Sequence, residues 1–392
     1  MKRPKLLVVV AVAAAFGLTA CQTSTPTNTS TNTNTTTTAT SSTSTSAPAK
    51  GNTIYVLGPT PDHGWTAQAG AFASQKVDQI NKDGKYKAQY MAASSGDQQN
   101  DIVQTIIANK DAAGVVFMAL DDSAKPGQEA LIAAGIPFIS FDRIIVGPDA
   151  KAILNFSGDN WAVGAGVAAW LQKNGMKAGD TVINLIGDNG TVSGRRNEGF
   201  SKFLLGTQDY TDKSGAKTHT ADVWSQADVD KALNTYKVVC NWSADAAQQY
   251  LEQALPDIVK QAKAGTGRLF VYSMDDEMTF GLMNLLQGNS LDATTKADFQ
   301  ALSVYVSAIG GMQELYDVML GKAALSPIAD QYFDGLMSMS FNPSMMTTAI
   351  DYMIQYLDGN NWTFKPGDGS YEATFVVDKS NAASVVGFKG HK

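Results

Sequence analysis

Short apolar runs alternate with helical segments along the chain from Asn52 onward, and this alternation limits the folds that the chain can adopt. The first run, at 53–58, ends in glycine, and Trp65 and Ile80 after it lie on one face of a predicted helix. The same unit repeats, with strands and helices predicted at 86–91, 98–109, 114–118, 125–134 and 137–141. Continuous apolar strands separated by helices are typical of a parallel, doubly wound α/β sheet.

A second series of the same kind follows. Its predicted strands lie at 181–186, 236–240, 268–273 and 301–306, and its predicted helices at 161–174, 195–205, 245–264, 277–287 and 309–320. One sheet with this many strands would be unusually wide, so we predict two doubly wound parallel-sheet lobes joined by a multi-crossing hinge. A last predicted helix, at 343–358, returns to the first lobe. The polar stretch 207–235 is predicted to be a surface excursion.

The expected domain limits follow from this order of elements. We expect the first lobe over 51–158, completed by about 341–372. The second lobe is expected over 159–340, completed by about 373–392. Two such lobes that face each other enclose a cleft between their strand ends, where open α/β sheets bind their ligands.

The N-terminal segment has the order of an export signal. Basic residues are followed by an apolar run from Leu6 to Leu18, which is shorter than the roughly 20 residues that a membrane-spanning helix needs. The sequence LTAC at 18–21 resembles the bacterial lipoprotein lipobox, so we expect a signal peptide over 1–20 and a lipidated Cys21. The alternative is a plain secretory peptide in which this cysteine is incidental. Either signal predicts an extracytoplasmic location, and the lipid would anchor the protein to a membrane.

The remaining composition narrows the function classes. Residues 22–49 are rich in Ser and Thr without charge, which indicates that 21–50 holds the lipidated Cys21 and a solvated linker. A net charge of −7 disfavours nucleic acid as a partner. Two cysteines, three histidines and the lack of HExxH, CxxC and GxxxxGK[ST] patterns predict neither a metal nor a cofactor.

Short carboxylates, arginines and tryptophans follow the predicted strands. Sugar hydroxyls both donate and accept hydrogen bonds, so Asp and Arg can bind adjacent pairs of them, and the C–H face of a sugar ring packs on an indole. The sequence therefore predicts a polyol site. The candidate ligand-binding residues are Asp62, His63, Trp65, Asp142, Arg143, Arg196, Trp242, Asp275 and Ser307.

Other interpretations of individual residues stay open at this point. Asp276 fits a helix N-cap as well as a site, and Arg195 fits a solvated helix position. Trp161 and Trp170 are expected in the core rather than at a ligand. Asp62 and His63 could form an acid/base pair, but no nucleophile motif accompanies them.

Four segments, in this order, resemble the ribose- and galactose-type periplasmic binding proteins, which are the substrate-binding components of sugar ABC transporters. They are GIPFISFDR at 135–143, SGDN at 157–160, RNEGF at 196–200 and VYSMDDEM at 271–278. The resemblance extends over residues 52–390 and implies the type I periplasmic-binding fold. It also implies a binding protein rather than an enzyme.

The resemblance assigns roles to several polar candidates. Asp142 and Arg143 would hold sugar hydroxyls, and the arginine of the Arg-x-x-Gly-Phe pattern points to Arg196 rather than Arg195. Asp275 stands where the family usually has a ligand-binding Asn, which adds an acceptor and removes a donor.

The resemblance also indicates aromatic walls and departures from the family pattern. Trp65 corresponds to the stacking platform of the first loop, and Trp242 lies close to the family's second aromatic. The family's Phe-Asp-Gly is Val-Ser-Ala at 306–308, so Ser307 replaces a carboxylate. The family's hinge-side Gln falls near Ser338 or Ser340, which shortens the reach of that position.

These inferences predict a monomeric, lipid-anchored receptor that captures a monosaccharide or related polyol and delivers it to an ABC permease. One alternative is a sensor that presents a sugar or furanosyl signal to a membrane receptor. Another is a glycosidase with Asp62 and Asp142 as its carboxylate pair. A closed cleft disfavours the enzyme because the leaving sugar needs an open groove.

Overall fold

The computed structural model describes residues 51–61 and 64–390. The first half of this part alternates strands and helices. Its elements are β1 (Thr53–Pro59), α1 (Gly64–Asp83), β2 (Lys87–Ala93), α2 (Gly96–Asn109), β3 (Ala112–Met118), α3 (Lys125–Ala133), β4 (Phe138–Phe141) and β5 (Leu154–Gly158).

The second half repeats this alternation and then returns to the first sheet. Its elements up to the last crossing are α4 (Asn160–Lys173), β6 (Thr181–Ile186), α5 (Thr191–Leu204), β7 (Tyr210–Thr211), β8 (Lys217–Thr218), α6 (Gln226–Asn234), β9 (Tyr236–Val239), α7 (Ala244–Ala264), β10 (Arg268–Ser273), α8 (Asp276–Gln287), α9 (Ala293–Gln300), β11 (Ser303–Gly310), α10 (Gln313–Met319), α11 (Ser326–Tyr332) and β12 (Gly335–Ser340). The chain ends with α12 (Met345–Asp358), β13 (Gly369–Glu372) and β14 (Val376–Asp378).

The strands form two six-stranded sheets with the same winding. The first has the order β13-β5-β4-β3-β1-β2, and all its pairs are parallel. The second has the order β14-β12-β11-β10-β6-β9 and is parallel except for the edge pair β12–β14. The predicted α/β fold class with two doubly wound parallel-sheet lobes is therefore confirmed. We call the first sheet with α1–α3 and α12 the first lobe, and the second sheet with α4–α11 the second lobe.

The chain passes between the sheets at 158–160, 340–345 and 372–376. The first passage joins β5 to α4, the second joins β12 to α12, and the third joins β13 to β14. These three passages form the hinge, because each lobe contains segments that precede and segments that follow a stretch of chain in the other lobe. As predicted, α12 packs in the first lobe, against α1 and β3.

Local chemistry explains where several helices begin. Ser95, Asp159, Ser243 and Asp292 precede α2, α4, α7 and α9, and each side chain accepts a hydrogen bond from a backbone N–H of the first turn. Asp275 does the same for α8 by accepting from Glu277 N at 2.8 Å. Asp275 is therefore the N-cap, whereas Asp276 is the first helical residue.

The structure corrects three of the predicted elements. The strand predicted at 301–306 runs on to Gly310, so the helix predicted at 309–320 begins only at Gln313. The polar stretch 207–235 contains the β7–β8 hairpin and α6. Strands β5 and β12 have polar positions on one face and are absent from the sequence prediction.

Trp161 and Trp170 differ in their surroundings. Trp170 is buried, as expected for a core residue. Trp161 is only partly buried, and the Arg195 guanidinium lies 4.5 Å from its ring. The expectation of a core position is therefore wrong for Trp161. None of the helices in the described ranges 51–61 and 64–390 is both long and apolar enough to cross a membrane.

Candidate functional site

The strand ends of both lobes meet at one cavity. It contains about 400 Å³ of space free of protein atoms, part of it open to solvent. The lining residues are Trp65, Thr66, Met118, Asp142, Arg143, Val192, Arg196, Trp242, Asp275, Ile309, Gly310 and Phe341.

Trp65 forms an aromatic wall together with Phe341. Trp65 is in the first turn of α1, and Phe341 follows β12 at the second hinge passage. Trp65 Nε1 donates to Phe341 O at 2.6 Å, and the two ring centroids lie 5.5 Å apart. The Trp65 indole is therefore held by the hinge residue Phe341, through a ring contact and through the hydrogen bond of its N–H.

Asp142 and Arg143 directly follow β4. Asp142 is buried and has a φ of 61°, a left-handed backbone conformation that Asp tolerates better than most residues. Arg143 donates to Leu120 O within its own lobe and pairs with Asp188 of the second lobe, with 3.1 Å between Nη1 and Oδ2. This ion pair connects the lobes across the cleft.

Arg196 comes from the first half of α5 and is 4% exposed. Its Nε donates to Asn160 Oδ1 at 2.8 Å and its Nη1 to Met274 O at 2.6 Å. The guanidinium lies 5.5 Å from the Trp242 ring and 5.1 Å from the Phe341 ring. Burial lowers the pKa of Arg196, while Tyr272 and the carboxylates around the cavity oppose that shift. The guanidinium is thus fixed in place before any ligand contact.

Trp242 lies in the loop after β9. Asn241 and Trp242 have φ values of 49° and 59°, which turn the chain so that the indole covers Gly187. A Cβ at Gly187 would lie 2.2 Å from the indole ring, so this close packing requires glycine. Trp242 Nε1 donates to Asp188 Oδ2 at 3.1 Å. The face of the indole therefore stays at the cavity.

The structure brings together six of the nine sequence-predicted ligand residues, namely Trp65, Asp142, Arg143, Arg196, Trp242 and Asp275. Arg196 is the buried member of its pair, and Arg195 is outside the cavity. Asp62, His63 and the predicted lipidation site Cys21 lie outside the described residues.

The placement of Ser307 at a strand end is wrong. Ser307 lies inside β11, has no exposure, and its Oγ donates to Val271 O at 2.9 Å. The strand continues for three more residues because Ala308, Ile309 and Gly310 still pair with β12, opposite Ser338, Met339 and Ser340. Ile309 and Gly310 reach the cavity in its place.

Phe341 and Asp188 contribute to the site but were not among the sequence candidates, and neither were the lining residues Thr66, Met118, Val192, Ile309 and Gly310. Phe341 follows β12, and recognising that strand would have placed Phe341 at a strand end with the others. Asp188 comes shortly after the strand predicted at 181–186, but nothing local in the sequence distinguishes it from a turn residue. Its partners Arg143 and Trp242 are distant in sequence.

The site has the chemistry of hydroxyl recognition. Carboxylates of Asp142 and Asp275 alternate with the guanidinium groups of Arg143 and Arg196, and indoles flank them. Within the part of the chain that the structure describes, no group of three or more His, Cys, Asp or Glu could hold a metal ion.

The comparisons with known proteins agree with this architecture. The sequence profile of the family described as "Periplasmic binding protein domain" matches residues 54–361. No curated protein sequence matches the chain. Several solved structures share the fold.

One similar structure is the periplasmic binding protein component of the arabinose ABC transporter from Shewanella sp. ANA-3, bound to α- and β-L-arabinofuranose. It has 16% identity over 85% of this chain and 93% of that chain, with a TM-score of 0.60. The Caulobacter myo-inositol binding protein bound to myo-inositol has 16% identity over 85% and 95%, with a TM-score of 0.59. An ABC transporter solute binding protein from Mycobacterium smegmatis with bound glycerol has 19% identity over 87% and 100%, with a TM-score of 0.59. At these identities the likeness establishes the fold alone.

Proposed function

The chain belongs to the periplasmic binding protein domain family, and from that premise we propose that it captures a monosaccharide or related polyol between its lobes and delivers it to an ABC permease. The observation that carries this proposal is the cavity itself. Both lobes contribute carboxylate, guanidinium and indole groups to one cavity.

Ligand binding would favour the closed arrangement of the lobes. Asp142 and Trp65 belong to the first lobe, whereas Arg196 and Asp275 belong to the second, so a single small ligand reaches all four only when the lobes are together. A ligand shifts an equilibrium by the difference in its affinity for the two states. The closed form would then be the one that the permease recognises.

The class of ligand rests on the side chains and on the fold relatives. Arabinofuranose, myo-inositol and glycerol are the molecules bound in three similar structures, and all are small neutral polyols. Asp and Arg pairs bind adjacent hydroxyls, and the Trp65 and Trp242 indoles provide faces for the C–H groups of the ring.

The proposal includes a membrane anchor. The lipobox-like segment supports acylation at Cys21, and the uncharged Ser/Thr-rich residues 22–49 support a solvated tether. The protein would then act outside the cytoplasm as a monomer beside its permease. The lobe limits that we propose are 51–158 with about 341–372, and 159–340 with about 373–392.

The proposed function is tested by calorimetry and thermal unfolding with a panel of pentoses, hexoses and cyclic polyols. We expect at least one to bind with micromolar affinity or better, about −8 kcal/mol. At about 100 times its Kd, that ligand adds about 2.7 kcal/mol to the free energy of unfolding and raises Tm.

Two adjacent arginines provide the matched variants for this test. Arg196→Ala should abolish the ligand-induced rise in Tm, because it removes a guanidinium that lies in the cavity. Arg195→Ala should leave the rise unchanged, because Arg195 packs on Trp161 outside the cavity. A panel without any heat of binding at millimolar concentration would reject the function, and a full response of Arg196→Ala would reject the site.

A further inference from the structure

Asp188 occupies the outer edge of the cavity and contacts two of its walls. Only Gly187 separates it from the end of β6, and its Oδ1 accepts from Gly190 N at 2.9 Å and lies 3.4 Å from Ser193 Oγ. These bonds from the start of α5 fix the direction of the carboxylate. The other oxygen, Oδ2, then points at Arg143 and Trp242.

One carboxylate oxygen therefore joins parts from both lobes. Asp188 Oδ2 lies 3.1 Å from Arg143 Nη1 of the first lobe and 3.1 Å from Trp242 Nε1 of the second. The Arg143 and Asp188 side chains are 16% and 24% exposed, so solvent screens this pair less than it screens a surface pair. The Arg143 guanidinium also lies 5.7 Å from the Trp242 ring. Asp188, Arg143 and Trp242 thus form one unit, which we call the cleft triad.

The cleft triad separates two spaces. Arg143 and Val192 line the inner cavity and also a second depression at the mouth of the cleft, whose walls are Asp121–Ser123 of the first lobe and Asp188–Thr191 of the second. The ion pair lies between them. It can form only when the lobes are close, because its partners follow strands of different sheets.

We propose that Asp188 is a positioning residue that favours lobe closure and selects neutral over anionic ligands. This inference rests on the proposed sugar-binding function and names a determinant of its specificity. Asp188 holds the Arg143 guanidinium and the Trp242 indole in the orientation in which they face the ligand. Its carboxylate also occupies the position beside the Arg143 guanidinium where the carboxylate of an acidic ligand would otherwise bind. A sugar acid would have to displace Asp188 and leave it close to another negative charge.

The test uses Asp188→Asn, which keeps the size of the side chain and removes its charge. The matched control is Asp122→Asn, an exposed carboxylate at the same mouth of the cleft. Calorimetry compares a neutral sugar identified in the panel with the uronic acid of the same ring. For Asp188→Asn we expect the neutral sugar to bind about tenfold more weakly and the neutral-to-uronate selectivity to fall by about tenfold or more.

A second measurement does not depend on any ligand. Spin labels at Asp101→Cys and Glu252→Cys, in a Cys21→Ser background, report the distance between α2 and α7 by electron paramagnetic resonance. Without added sugar, Asp188→Asn should shift the distance distribution toward larger values, whereas Asp122→Asn should not.

The two measurements separate the possible failures. If no sugar binds to any variant, the proposed function fails, while the distance measurement still tests the role of Asp188 in closure. If Asp188→Asn keeps both the wild-type selectivity and the wild-type distance distribution, the inference about Asp188 is wrong. Equal effects of Asp122→Asn would also overturn it, because they would show a general effect of charge at the cleft mouth.

Discussion

Asp276 is a carboxylate without solvent exposure at the hinge end of the second sheet. Its Oδ2 accepts from Gly311 N and Met312 N, each at 2.7 Å, and its Oδ1 accepts from Ser338 Oγ at 2.7 Å. Burial raises the pKa of Asp276 to about 6, although these hydrogen bonds oppose the shift, and the neighbouring Glu277 adds to it. The carboxylate therefore ties β11 to β12 at the cost of a buried charge.

The pH dependence of stability should reveal this charge. The pKa of Asp276 is about 6 in the folded state against 3.8 in the reference state, so the folded protein binds the proton more tightly. The contribution of Asp276 to the free energy of unfolding is therefore largest below pH 4 and declines as pH rises to about 6. Asp276→Asn removes the titration, and its amide can still accept from the backbone and donate to Ser338. Relative to wild type, its free energy of unfolding should rise between pH 4 and pH 7 by on the order of 2–3 kcal/mol. Urea unfolding at both pH values measures this change.

Asp292→Asn is the control with the opposite sign. The Thr295 side chain and backbone N–H bond to the exposed Asp292 carboxylate and lower its pKa. The stability that Asp292 provides is therefore present at neutral pH and lost as pH falls. Asp292→Asn should be most destabilising at neutral pH.

The Asp276 prediction is wrong if Asp276→Asn has the same pH dependence of stability as the wild type, because Asp276 would then not titrate in this range.

Residue patterns alone do not separate Arg195 from Arg196. Both lie on a helix with mixed polar and apolar positions, and only the family resemblance favours Arg196. The structure explains the difference by two contacts of Arg196, with Asn160 and Met274 O, both far away in the sequence.

Helices α4 and α5 pack with their backbones in contact at two glycines. A Cβ at Gly164 of α4 would lie 1.9 Å from Arg196 O, and a Cβ at Gly199 of α5 would lie 2.0 Å from Trp161 O. Because α4 carries Asn160 and α5 carries Arg196, this close packing sets the distance between the two side chains. The geometry of the site therefore depends on small residues outside the cavity.

Gly199→Ala should push the two helices apart. Overpacking of this kind costs about 1–3 kcal/mol, although alanine regains up to about 1 kcal/mol in helix propensity. We also expect weaker sugar binding, since Arg196 moves away from Asn160. Urea unfolding and calorimetry check both effects.

Gly194→Ala on the same helix is the matched control. A Cβ there meets nothing within 4 Å, so this variant should be as stable as wild type or more stable, with unchanged affinity. If Gly199→Ala binds sugar as tightly as Gly194→Ala does, helix packing does not set the position of Arg196.

The strands that the sequence analysis found are those with continuous apolar character. In β5 and β12 polar residues interrupt this pattern, and their partners lie far away in sequence. Asn155 Nδ2 donates to Gly367 O, and Ser338 Oγ donates to Asp276. A local pattern cannot reveal such partners. Because β12 was not predicted, Phe341, which directly follows it, was not recognised as a residue at a strand end.

At the scale of the whole molecule, two lobes follow from the number of predicted strands, because one sheet could not hold them all. The contacts between the lobes do not follow from the sequence. Arg143 with Asp188 and Gly64 N with Glu277 Oε1 meet only because the hinge sets the angle between the sheets. These contacts depend on the backbone of the passages, where small differences in angle become large displacements at the cleft.

Gly158 and Phe341 belong to two of the hinge passages and pack against each other. A Cβ at Gly158 would lie 2.0 Å from Cε2 of Phe341. Two carbon atoms cannot approach this closely, so one of the two passages would have to shift. The Phe341 ring cannot easily move away, because the Trp65 ring and the Arg196 guanidinium both lie close to it. Glycine at 158 therefore allows the passages to approach as closely as the closed cleft requires.

Gly158→Ala should consequently hold the lobes further apart while each lobe stays folded. We expect a longer distance between spin labels on α2 and α7 at saturating sugar, and at least tenfold weaker binding, since closure must now work against this overlap. Adding Phe341→Ala to Gly158→Ala removes the ring that the new methyl group meets. The double variant should recover the short distance even if its affinity stays low, because Phe341 is also a wall of the cavity. A Gly158→Ala protein with the wild-type distance would show that closure does not depend on this contact, and a double variant that stays open would place the obstruction elsewhere in the hinge.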